Sequence, residues 1–141
     1  MSEENVEIVR SLYEIGAGDW FSAAPDQIDR GFRQYVDEQC EFRLPPDYPE
    51  GEPVFRGREG FDEMMAMLSD AWGKWRSEPE RFLDAGDRVV AFVRIFAEGG
   101  SSSVPIELET THVWTIRGAR VTSVDAYRDR SQALEAAGLA E

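Results

Sequence analysis

Cysteine and histidine are nearly absent from this chain: one of each, Cys40 and His112, among 141 residues. A single cysteine excludes an intrachain disulfide, so the fold must hold by packing alone. The only basic residue near Cys40 in sequence is Arg43, on the other face of its strand, and the cysteine reads as buried filler rather than a nucleophile. One histidine and one cysteine with no inward carboxylate fall short of the usual ligand count, so no metal and no cofactor is expected. Basic residues are also scarce, 15 against 28 acidic ones, for a net charge of −13. Such a surface repels phosphate backbones and anionic lipid, which argues against nucleic-acid and membrane partners. No apolar run approaches the ~18 residues of a membrane span. The opening stretch "MSEENVEIVR" lacks the basic and apolar regions of a signal peptide, and a cytoplasmic location is expected. There is no internal repeat and no low-complexity linker. With a one-domain length, this predicts a single domain over 1–141.

What is present is a globular composition, 42% hydrophobic and 11% aromatic. The first half reads as helical. Ser2 is suited to cap a helix carrying Val6, Val9, Leu12 and Tyr13, which Gly16 and Gly18 end. Pro25 opens a second helix with Ile28, Phe32, Tyr35 and Val36 as its stripe. "CEFRL" alternates as a half-buried strand, and "PPDYPEGEP" must be loop. After "FRGREG", the residues Phe61, Met64, Met65, Leu68, Trp72 and Trp75 form the strongest helical stripe in the chain. "GREG" itself lacks the lysine of a phosphate loop.

The second half reads as antiparallel strands. "ERFLDAGDRVVAFVRIFAEGG" contains a strand, a turn at Ala85-Gly86-Asp87 and a longer strand, and "GGSSS" is a loop. In "VPIELETTHVWTIRG", Ile106, Leu108, Thr110, His112, Trp114 and Ile116 share one face. "RGAR" is a tight turn, "VTSVDAYRD" the last strand, and "SQALEAAGL" a closing helix with Gly138 as its C-cap. Helices first and long antiparallel strands after predict an α+β fold, with helices on one face of a curved sheet. Such a sheet curls into a cone whose wide end is a ready pocket.

In this order, "NVEIVRSLYEIGAGDW", "FRGREGFDEMM", "DAGDRVVAFVR" and "HVWTIRGARVTSVDAYRDRSQALEAAGL" resemble a SnoaL-like domain of the nuclear transport factor 2-like superfamily, the cone shared with ketosteroid isomerase. The resemblance implies a cystatin-like curved antiparallel sheet wrapped around the N-terminal helices. The stretch "FSAAPDQIDRGFRQYVDEQ" departs from it, being longer than the second helix of close relatives. Members isomerise steroids, close polyketide rings, open epoxides or only bind partners, so the fold does not name a reaction. The carboxylates of the catalytic members are missing. Phe42 stands where ketosteroid isomerase has its base, His112 where it has a protonated carboxylic acid, and Ala126 where the cyclases have an aspartate.

His112 therefore faces the cone where relatives keep a working polar group. It reads either as a proton donor or base toward a substrate oxygen, or as a neutral histidine bonded to Thr110 or a backbone group. Trp20, Phe42, Trp72 and Trp114 read as an aromatic wall for a flat ligand, or as plain core. Tyr13 offers a hydroxyl to the cavity, or points outward. Val124 and Arg128 share the inward face of the last strand with Ala126, where Arg128 clamps a ligand oxygen or pairs with an acid. Asp125 belongs on the other face, and a one-residue slip would exchange the two. On the convex face, Val113 and Tyr127 suggest the contact of a homodimer. The expected function is binding of a small, mostly apolar organic molecule, with acid/base chemistry of the isomerase, cyclase or hydratase kind. The alternative is a ligand-binding or dimeric interaction module with a structural His112.

Overall fold

The computed structural model describes residues 2–45, 54–99 and 104–139. The loops expected at "PPDYPEGEP" and "GGSSS" lie almost wholly outside these residues. The described residues form an α+β fold. Helix α1 (Ser2–Tyr13) is followed by a 3-10 turn (Ile15–Gly18), α2 (Pro25–Tyr35), β1 (Val36–Arg43), β2 (Val54–Arg56) and α3 (Gly57–Ala71). Then come β3 (Trp72–Asp84), β4 (Arg88–Gly99), β5 (Pro105–Arg117), β6 (Arg120–Tyr127) and α4 (Arg130–Ala136). The six strands form one open sheet in the order β2-β1-β6-β5-β4-β3. All pairs are antiparallel except β1 with β6. No helix among the described residues is long and apolar enough to cross a membrane.

Local chemistry explains most boundaries. Pro25 sits in the first turn of α2, where its missing N–H costs nothing, and Gln27 accepts from the Ala24 N–H. Gly16 and Gly18, both at positive φ, carry the chain away from α1 through the 3-10 turn. Asp129 caps α4 by accepting from the Ser131 N–H at 2.8 Å. At its other end Gly138 takes φ 77°. The Leu139 N–H reaches the Leu134 carbonyl and the Gly138 N–H the Glu135 carbonyl, a Schellman closure.

Two boundaries differ from the sequence reading. Trp72 and Trp75 belong to β3, not to α3, which stops at Ala71. Val36 opens β1 and does not continue α2. Both sites adjoin irregularities in strand register, between Trp72 and Lys74 and between Val36 and Glu41. A bulge inserts a residue and breaks the period of two, so apolar side chains fall at spacings that mimic a helix.

The concave face of the sheet carries the main core. Val9, Leu12 and Tyr13 from α1, and Phe61 and Met64 from α3, pack on Val89, Ala91, Val93, Ile95, Trp114 and Ile116. A smaller core lies on the outer face. There Ala133 and Ala137 of the closing segment cover Val90, Phe92 and Val113. Val113 is only 2% exposed, packed against this cover.

Candidate functional site

Tyr13 ends α1 in the middle of the concave face, enclosed by four rings. Trp20 and His112 stack on it at 6.1 and 5.9 Å between centroids, Trp114 meets it edge-on at 5.3 Å, and Phe82 leans against it. Its hydroxyl lies 2.6 Å from His112 Nδ1 and accepts from Trp114 Nε1 at 2.9 Å. These contacts allow a proton assignment that gives the tyrosine O–H and the indole N–H an acceptor each. Indole N–H only donates, so the tyrosine oxygen is the acceptor there. The remaining tyrosine proton has one acceptor within reach, His112 Nδ1. With the tyrosine assigned as donor, the imidazole is the neutral tautomer with its proton on Nε2.

Electrostatics keep it so. Burial lowers the His112 pKa to about 4. Burial raises that of Tyr13, against a smaller opposing effect of the Trp114 bond, so the phenol stays protonated. Among the described residues, every buried side-chain nitrogen and oxygen has a partner. Nε2 has no partner among the described residues and is not a fully buried atom, so it is accessible to a ligand atom or water.

Thr110, two residues before His112 on the same face, donates through Oγ1 to the Tyr127 carbonyl at 3.2 Å. Beyond it, Leu108 and Ile106 are 38% and 36% exposed, and they continue the face as an open apolar strip. Across the strands, His112 stands between Ala91 and Ala126, so no carboxylate adjoins it within the sheet. Asp125 lies on the outer face, paired across strands with Val113 and bonded to Arg43 at 3.3 Å.

Of the other candidates, Trp20, Phe42 and Trp114 gather around an apolar cavity together with Phe61, Phe32 and Ile15. This cavity holds only about 30 Å³ and has no polar lining side chain but the indoles. Val124 pairs with both Phe42 and Trp114 and backs that wall. Trp72 stands apart, edge-on to Trp75 at the start of β3. Arg128 is exposed, one residue past the end of β6. Phe61 and Phe32 belong to the cavity although sequence periodicity gives them no mark beyond core. Cys40 is fully buried, its thiol pushed up to about 12 by burial and then by Asp37, Glu41 and Asp125.

The family model for the SnoaL-like domain matches residues 12–124. No curated protein matches the sequence. Among solved structures, TerC co-crystallised with polyporic acid is 22% identical, with a TM-score of 0.72 over 96% of this chain and 98% of the other. A SnoaL-like polyketide cyclase, so described, from Jannaschia sp. CCS1 is 18% identical, with a TM-score of 0.73 over 99% and 94%. A protein with a ketosteroid isomerase-like fold from Catenulispora acidiphila DSM 44928, in complex with trimethylamine, is 18% identical, with a TM-score of 0.67 over 94% and 93%. At these identities the likeness shows the fold.

Proposed function

Because the chain belongs to the SnoaL-like domain family, we propose that its concave face binds a small, mostly apolar organic molecule through the Nε2–H of His112. The ligand's carbonyl or hydroxyl oxygen accepts that proton in a hydrogen bond. The observation that carries this reading is the Tyr13 hydroxyl on Nδ1, which leaves Nε2 as the ring nitrogen without a partner among the described residues. Ile106, Leu108 and Thr110 supply the apolar approach, and Trp114 stands behind the ring. Ligand pockets span roughly 300–1,000 Å³. The aromatic cavity of about 30 Å³ is far too small for such a molecule, so the open strip is the better seat. Trp20 and Phe42 then support the wall without touching the ligand. Two relatives of the same fold were crystallised with small organic molecules, polyporic acid and trimethylamine, which supports this class of partner.

A neutral imidazole N–H polarises an oxygen but is a poor acid near pH 7. With Ala91 and Ala126 as its cross-strand neighbours, His112 has no carboxylate beside it in the sheet to share the work of proton transfer. Binding and polarisation are thus favoured over acid/base turnover by the protein itself. A second reading, His112 as a purely structural group, is supported by its full engagement with Tyr13 on Nδ1. The test is titration with polyporic acid, phenols and a steroid ketone while following the imidazole nitrogens by NMR. The first reading requires a ligand that shifts Nε2 and binds at least tenfold more weakly to His112→Phe. A ligand that binds the folded variant equally well leaves His112 structural.

A further inference from the structure

The outer face of the sheet carries a groove that the concave-face reading does not use. It measures about 460 Å³ and runs beside α4 over β1, β6 and β5. Its floor is set by register. Glu41, Ser123, Thr115 and Arg88 form one cross-strand row, and Arg43, Asp125 and Val113 the next. Arg117 and Tyr127 close its sides.

The two acids of this groove are already engaged. Glu41 is bonded by both Arg43 and Arg56, which hold its carboxyl below the usual range. Asp125 is bonded by Arg43. Among the described residues, Arg88 and Arg117 have no ion pair. The hydroxyls of Thr115, Ser123 and Tyr127 make no hydrogen bond to the described residues, and none is a buried orphan, so all three are open to the groove. Two guanidiniums outside every close ion pair, Arg88 attracted to Asp125 only at longer range, and three hydroxyls free of hydrogen bonds to the described residues lie in a concavity of ligand size on a chain of net charge −13. That is an excess of donors where the rest of the surface offers acceptors.

We propose that this groove is an oxyanion site, binding the carboxylate or phosphate of a small molecule between Arg88 and Arg117 over Thr115 and Ser123. Guanidinium forks suit such oxygens in pairs, and hydroxyl donors complete the set. A second copy of the chain is the weaker occupant, because α4 already covers the apolar part of this face. What remains open is polar.

The experiment is backbone amide NMR of the intact chain, titrated in parallel with sodium phosphate, sodium malonate and sodium chloride at matched ionic strength. Saturable shifts at 115–117 and 122–125 with phosphate or malonate, but not chloride, are the expected result. Whichever of the two binds more tightly identifies the headgroup. Arg117→Gln, at an exposed position, and Arg88→Gln should each weaken binding roughly tenfold or more. The His112 ring signals should not move, which separates this site from the concave one. The proposal fails if chloride shifts these amides as strongly. It fails if Arg117→Gln, which stays folded, binds equally well. It fails if the groove amides shift with protein concentration and sedimentation shows a dimer.

Discussion

At the residue scale, the Tyr13 hydroxyl connects two side chains about a hundred positions further along the chain, His112 and Trp114. Tyr13→Phe removes the one partner of both Nδ1 and the indole N–H. Leaving buried polar groups unpaired costs about 1–3 kcal/mol each, so the variant should lose roughly 2–4 kcal/mol in urea unfolding. It should also free Nδ1 to take the proton, so imidazole nitrogen shifts would report a mixture of tautomers. A single unchanged tautomer and unchanged stability would refute the assignment.

The His112 pKa adds a pH dependence. Folded, it titrates near 4, and unfolded near ~6.5. Between those values the unfolded chain binds the extra proton, so this residue's contribution is complete above ~6.5 and declines as pH falls toward 4. The loss is at most about 3 kcal/mol, less solvent screening of the half-buried ring. Urea unfolding of the native chain and of His112→Phe at pH 7 and pH 5 isolates it, since carboxylate effects are common to both. Equal pH slopes would refute it. The sequence made the inward orientation of His112 legible, because strand alternation places it with Trp114. The tautomer was not legible, because it depends on a contact across 99 positions.

At the scale of elements, most of the fold was readable where the period was regular. β5 alternates without interruption as far as Thr115, and the structure keeps the faces assigned to it. Trp72 and Trp75 misled because a bulge next to them broke the alternation. Close approaches were not legible either, because a glycine's neighbours come from elsewhere in the chain. Two helical glycines make the point testable. A methyl on Gly60 would sit 2.8 Å from the Phe55 backbone, which cannot yield without moving β2. A methyl on Gly31 would press on the tip of Ile15, 2.8 Å away, and touch Leu12 at an ordinary 3.5 Å, and all three residues line the small apolar cavity. Gly60→Ala should therefore destabilise by about 2 kcal/mol or more, and lower the melting temperature by several degrees. Gly31→Ala should be near neutral, since helix propensity gains about 1 kcal/mol against the displacement of Ile15. Equal effects in thermal unfolding would contradict this packing.

For the whole molecule, the helices-then-strands order predicted the layers, and the partner of β1 stayed hidden. Nothing in "CEFRL" indicates that its neighbour is the last strand. That pairing sets an order of events. Strands β3 to β6 close by short hairpins. The β1–β6 pairing joins Arg43 to Asp125 across 82 positions, and loop-closure entropy delays such contacts. The meander should gain hydrogen-exchange protection before β1 does in a refolding pulse experiment, and simultaneous protection would overturn this sequence. During synthesis the consequence is a waiting time. At roughly 5–20 residues per second, β1 and its buried Phe42 emerge several seconds before the strand that completes them. For that interval the nascent chain displays an unfinished apolar edge, a natural target for a chaperone.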